Sequence, residues 1–153
     1  MVYLACTKET FIPSDMARVR WLIKDIDYET AQWYWDQFQS PLTYHTWITA
    51  HAYGYQYAVI QEDDKPITCA GIWRFAERVW EVVAVSTLAA YRNRGYAKQT
   101  VSFVTAYILG ANRLATCSTN AENAAMIATA KSVGFEIVAQ EAVQWKYPEL
   151  PDF

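Results

Sequence analysis

The segment Arg92-Asn93-Arg94-Gly95-Tyr96-Ala97 brings together the residue types that hold a diphosphate. Where such a segment leads from a strand into a helix, the first backbone amides point outward without helical partners, at the positive end of the helix dipole. Gly95 lets the main chain approach an anion without a side-chain collision, Ala97 keeps the first turn slim, and Arg92 and Arg94 add positive charge. Alone, the same residues also suit an ordinary helix start flanked by solvated arginines, so context has to decide. Glu81 offers a second kind of chemistry, a carboxylate inside the apolar run Val79-Trp80-Glu81-Val82-Val83-Ala84-Val85. Desolvation on such a strand raises a carboxylate toward the range in which it exchanges protons near neutral pH. Its alternative role is an ion pair with Arg74 or Arg78 across a hairpin. His45 and His51 stand six apart without carboxylate or cysteine company at ligand spacing, which argues against a metal site. Cys6, Cys69 and Cys117 are odd in number and widely spaced, the pattern of reduced, buried thiols.

The elements that must position these residues follow from periodicity. Pro13-Ser14 ahead of Met16, Val19, Leu22, Ile23 and Ile26 predicts a first helix. Ala31, Tyr34, Trp35 and Phe38 predict a second. Tyr44, Trp47, Ile48 and His51, capped by Ser40-Pro41 and stopped by Gly54, predict a third. From Tyr55 the pattern becomes β-branched and aromatic. Strands are expected at 55–60, 67–73 and 79–85, joined by turns at 62–66 and 76–78, with the last and most apolar strand central. A helix from Gly95 to Gly110, a strand at 113–117, a helix capped by Asn120 and closed by Gly134, and strands at 135–138 and 142–145 complete the order. The fold class expected is α/β, or α+β: a central mixed β-sheet with helices on both faces.

The chain has 153 residues, 53% hydrophobic, 16% aromatic and only 19% charged, enough for one substantial core and far from the composition of disorder. One domain over 1–153 is expected, with a helical region at 1–54 and the sheet at 55–147. The net charge of −3, with no basic block, argues against a nucleic-acid partner. The amino terminus lacks a secretory pattern, and the longest uncharged stretch, 37–61, is broken by Pro41, His45, His51 and Gly54. Neither a membrane segment nor a membrane partner is expected, and cytoplasmic residence is the default.

Glu81 through Ala97 on a strand, loop and helix, followed by Asn123 and, after eleven intervening residues, Phe135, resembles the GNAT superfamily of acyl-CoA-dependent N-acetyltransferases. The resemblance covers roughly residues 55 to 140. It implies acetyl-CoA as acyl donor, direct transfer in a ternary complex and no metal. It also implies a strand before the phosphate loop that splays from its neighbour, so that Val85, Ser86 and Thr87 pair with the pantetheine arm. Arg92, Asn93, Arg94, Gly95, Tyr96, Ala97 and Lys98 would wrap the pyrophosphate, and Asn123 would hydrogen-bond the pantetheine or its surroundings. Glu81, eleven residues before Arg92, matches the strand glutamate that serves some members as general base, often through water. Such a base is needed because an amine with a pKa near ~10.4 is almost wholly protonated at neutral pH.

The chain departs from the common pattern at Ala130, where many members carry a tyrosine that protonates the departing thiolate. Ala130 with Ser86-Thr87-Leu88 before Tyr91-Arg92 looks closest to the branch containing the zwittermicin-resistance acetyltransferases, although Met126 stands where a small residue is commoner. The aromatic residues Trp33, Trp35, Tyr44, Trp47, Tyr53, Tyr55 and Tyr57 fall in the region that walls the acceptor pocket of this superfamily. An uncharged aromatic wall favours a small or partly apolar amine over a basic protein tail. The expectation is therefore an N-acetyltransferase with a small-molecule amine acceptor, in a chain with scope to form a homodimer. The alternatives are an acyl-CoA-binding module with weak catalysis, and a GNAT enzyme acting on protein or tRNA.

Overall fold

Buried and more open residues alternate along the short strand at Val2–Cys6, whereas the stretch 66–72 is buried without interruption, as a strand covered on both faces must be. In the computed structural model, which describes residues 1–141, seven strands and four helices form. The strands are β1 (Val2–Cys6), β2 (Val19–Trp21), β3 (Tyr55–Glu62), β4 (Lys65–Trp73), β5 (Val79–Thr87), β6 (Leu114–Thr119) and β7 (Glu136–Gln140). The helices are α1 (Tyr28–Asp36), α2 (Tyr44–Ala52), α3 (Tyr96–Gly110) and α4 (Ala124–Val133). The strand order is β2-β3-β4-β5-β6-β1-β7, with β5 in the middle and only the β5–β6 pair parallel. This is the mixed sheet expected, with helices on both faces. The strand expected at 142–145 lies outside the described residues.

Two hydrophobic layers sandwich the sheet. On one face α3 and α4 pack through Val101, Val104, Ile108 and Val133 onto Ala58, Ala70, Ile72 and Val82. On the other, α1 and α2 bring Ala31, Tyr34 and Trp47 onto Val59 and Cys69. β3 and β4 therefore send alternate side chains into both layers, as a strand buried on both faces must. Gly71 is small for a reason: a Cβ there would lie 2.9 Å from the Tyr57 ring and 3.1 Å from Val83. Gly134 ends α4 at φ +104°, and a Cβ there would meet the Thr10 carbonyl oxygen at 2.1 Å.

Several expectations need correction. No helix follows Pro13-Ser14. Ser14 donates its amide to Ser102 and its hydroxyl to the Lys98 carbonyl, so it fastens the chain to α3 and caps nothing. Val19-Arg20-Trp21 instead pairs antiparallel with Ile60, Val59 and Ala58, leaving Ile23 and Ile26 half or more exposed. The bend into α1 is fixed by Asp27, which accepts two bonds from Arg20 and one from the Ile23 amide. α2 is capped by Thr43, not Ser40, and α4 by Asn123, not Asn120; each accepts from the amide three residues on. Asn120 closes the preceding turn by accepting from the Glu122 amide. The sheet also extends into the first 54 residues. β1, unforeseen, buries Val2, Leu4 and Cys6 and runs antiparallel to both β6 and β7.

Candidate active site

The site begins at an irregularity in β5. Gly71 faces Val83, but the next pair along is Cys69 with Ser86, so β5 holds an extra residue there. Ala84 takes it up at φ +53°, a left-handed conformation costly for alanine, and the strand bends at this bulge. On the other side β5 pairs with β6 only at Val79, Trp80 and Glu81. Beyond Glu81 the two strands fork, and the β5 backbone from Val82 onward has no β6 partner. A cavity of about 590 Å³ opens along the fork. Its walls are Val85, Ser86 and Thr87 from β5, and Asn123, Met126 and Thr129 from one side of α4.

The same cavity runs to the amino terminus of α3, where Arg92, Asn93, Gly95, Tyr96, Ala97 and Lys98 line it. Asn93 and Gly95 both adopt left-handed conformations, φ +63° and +81°. No side chain caps α3, whose first turn directs its amides to the opening. A Cβ built on Gly95 meets nothing within 4 Å, so the space above the helix start is open. The arginines are less free than their sequence suggests. Arg92 donates through Nε to the Thr87 carbonyl, tying the loop back to β5, and Arg94 lies over the Tyr91 ring outside the cavity wall. Asn123 lines the cavity while its side chain is engaged locally, donating to Thr119 Oγ1 and accepting from the Met126 amide.

Glu81 sits at the root of the fork. The register places Tyr55, Trp73, Glu81 and Thr116 side by side on β3, β4, β5 and β6, and paired residues share a face of the sheet. That face carries α1 and α2. Among the described residues the side-chain partner of Glu81 is Ser118, whose hydroxyl donates to Oε1 at 3.2 Å. Arg74 is turned away, bonded to Gln56 and Tyr107 and stacked over Trp80. Burial pushes the Glu81 carboxyl above its ordinary range, and the Ser118 hydrogen bond offsets this only in part. A second cavity of about 560 Å³ flanks the row, between the Tyr55, Trp73 and Phe75 rings and the His45, Thr49 and Tyr53 face of α2.

Sequence reasoning missed three contributors. Met126 and Thr129 follow Asn123 at three and six residues, a helical spacing that could have signalled a shared wall. Tyr34, read as an ordinary apolar-face residue, places its hydroxyl 2.7 Å from Ser86 Oγ, so α1 reaches the fork directly. Ala130 is fully buried. Cys117 faces the α3 layer, and burial pushes its thiol up to about 12, the behaviour of a core residue rather than a nucleophile.

Comparison with known proteins adds an independent line. The model of the acetyltransferase (GNAT) family matches residues 20–135. No curated protein matches the sequence at a significant level. Among solved structures, a GNAT-family protein from Novosphingobium aromaticivorans superposes with a TM-score of 0.72 at 23% identity, over 89% of this chain and 58% of that one. An aminoglycoside acetyltransferase from an uncultured soil metagenomic sample, in complex with sisomicin, gives 0.66 at 12% identity, over 86% and 95%. AAC(6')-Iy, bound to a bisubstrate analogue of CoA, gives 0.66 at 14%, over 85% and 97%. The chain spans about half the length of three of the structures it matches, 58%, 53% and 47%. At these identities the likeness is one of fold.

Proposed function

Given that the chain belongs to the acetyltransferase (GNAT) family, we propose that it transfers an acetyl group from acetyl-CoA to the amine of a small molecule. The observation that carries this reading is the fork: a cavity running from uncapped helix amides along the unpaired end of β5, with the partly desolvated Glu81 carboxylate at the last β5–β6 pair, where the strands part. Three features fit a CoA-type donor. The left-handed Gly95 and the open space above it suit a close-lying diphosphate. The unpaired β5 edge at Val85, Ser86 and Thr87 suits an amide-bearing arm that pairs as a strand would. Lys98, in the cavity wall, adds a cation at the phosphate end.

Acetyl-CoA, when bound, supplies a thioester whose C–S bond breaks as the C–N bond to the acceptor forms. Glu81 takes the proton of the amine, for which its raised pKa is suited, and Ser118 holds the carboxylate in place. The buried Ala130 has no hydroxyl to offer the leaving sulfur. The Ser86 hydroxyl, hydrogen-bonded to Tyr34 and lining the fork, serves as the nearby donor to developing negative charge. Ala130 and the Ser86-Thr87-Leu88 run also support placement beside the zwittermicin-resistance branch.

Thermal denaturation tests the donor site. Acetyl-CoA adds about 2.7 kcal/mol of stability at a hundred times its dissociation constant, and NADH, which lacks the pantetheine arm, adds none. Equal shifts with both would indicate a generic nucleotide site. Binding without turnover on a broad amine panel would favour the non-catalytic module.

A further inference from the structure

The second cavity has features that the transfer reaction alone does not require. Tyr55 and Trp73 stack face to face, 5.2 Å apart and 6° from parallel, and Phe75 leans against Trp73 at 5.0 Å, tilted by 38°. Phe75 and Tyr53 are 47% and 72% exposed, an unusual investment of large apolar surface on the open rim of a cavity. No Asp or Glu lines this cavity, although the chain carries sixteen of them. The nearest carboxylate fixed by the register is Glu81, one strand from Trp73. Neighbouring strands lie about 4.8 Å apart, so the centre of the ring stack stands roughly 5–10 Å from the base.

One carboxylate beside a flat aromatic wall is a poor match for a polycation. Each further ammonium group would face rings and threonines rather than a counter-charge, and desolvating it there is unfavourable. One amine on a short alkyl tether from an aromatic ring satisfies both halves. Its nitrogen reaches Glu81 while its ring stacks on Trp73 and Phe75, in the offset or edge-on geometry aromatic pairs prefer. We infer that the acceptor is a primary monoamine bearing an aromatic ring, seated on Tyr55, Trp73 and Phe75, and that polyamines and aminoglycosides are not substrates. The inference rests on the acetyltransferase reading and specifies its substrate class.

The test uses 2-phenylethylamine, spermidine and sisomicin as probes, with two readouts on the full chain. The first is quenching of tryptophan fluorescence by each amine without donor; the second is thiol release with acetyl-CoA. Phenylethylamine should bind and turn over at least roughly ten-fold better than either polycation, a difference of about 1.4 kcal/mol. Phe75→Ala, on the exposed rim where truncation spares the core, should weaken phenylethylamine roughly ten-fold and leave acetyl-CoA affinity unaltered. Trp73→Leu should do the same more strongly. If spermidine or sisomicin binds as well as phenylethylamine, or Phe75→Ala leaves ring-amine binding unchanged, the substrate class is wrong while the acetyltransferase reading stands. If acetyl-CoA itself does not bind, both fall.

Discussion

Gly95→Glu separates folding from donor binding. At φ +81° any L-residue is strained, by about 1–2 kcal/mol, but the absence of atoms within 4 Å of the built Cβ means that no steric cost is added. For a chain of this size that corresponds to a fall in Tm of roughly 2–8 °C, with cooperative unfolding retained. The new carboxylate, in contrast, stands over the uncapped α3 amides, where the diphosphate is to sit. Two charges about 4 Å apart near a protein surface repel by about 4 kcal/mol, roughly a thousand-fold in affinity. Gly95→Ala carries the same strain without the charge and should lose less. Calorimetric titration with acetyl-CoA, alongside a thermal scan of each variant, reads both quantities. A Gly95→Glu protein that unfolds normally yet binds acetyl-CoA within a few-fold of the parent would refute the phosphate-loop assignment.

Glu81→Gln should lower turnover about 10²–10⁴-fold at neutral pH, with part of the rate recovered at higher pH as free amine accumulates. Because burial raises the Glu81 pKa, the folded state holds that proton more tightly than the unfolded chain, and stability falls as pH rises from the unfolded carboxylate range through the raised value. The Gln variant should therefore melt higher than the parent at pH 7 and at the same temperature below about pH 4. At Asp27 desolvation acts to raise the pKa, but the Arg20 hydrogen bonds and charge and the Ile23 amide outweigh it and hold it low. Its contribution is present above the unfolded value and lost as pH falls through the folded one. Asp27→Ala should cost about 1–3 kcal/mol at pH 7 by urea titration, a difference that shrinks in acid. Gly134→Ala should fail to give folded protein, since its Cβ would collide with the Thr10 carbonyl; a near-parental melting curve would contradict the packing described. Ser86→Ala should reduce kcat more than the acceptor KM, because its hydroxyl is assigned to charge that develops only during transfer.

Where one period governs a segment, the sequence was legible: the meander from Tyr55 to Val85, the long α3 and the helix closed by Gly134 all stand where alternation or helical spacing put them. The failures share a cause. Met16 to Ile26 has helical spacing, but Val19-Arg20-Trp21 finds an open edge on β3 and Asp27 finds Arg20, and these long-range pairings override the local pattern. β1 is too short to announce itself, and only its partners β6 and β7 give Val2, Leu4 and Cys6 a core to enter. In the candidate site Gly95 marked the loop because a left-handed backbone requires it, whereas Asn123 stood out only through its place in the family pattern, the helix cap having been expected at Asn120. The Ala84 bulge and the Tyr34–Ser86 contact were not, since neither a left-handed alanine nor a cross-face hydroxyl pair leaves a trace in residue spacing.

If the proposed reaction is right, one chain binds the donor in the fork and passes its acetyl group to an amine at Glu81. Incubating the purified protein with acetyl-CoA and 2-phenylethylamine at pH 7, while following free thiol and the acetylated amine together by mass spectrometry, tests it in one measurement. One acetylated amine should form for each CoA released, at a rate proportional to enzyme and reduced about 10²-fold or more by Glu81→Gln. Thiol release without acetylated amine, or acetylated amine formed equally fast by the Glu81→Gln protein, would contradict it.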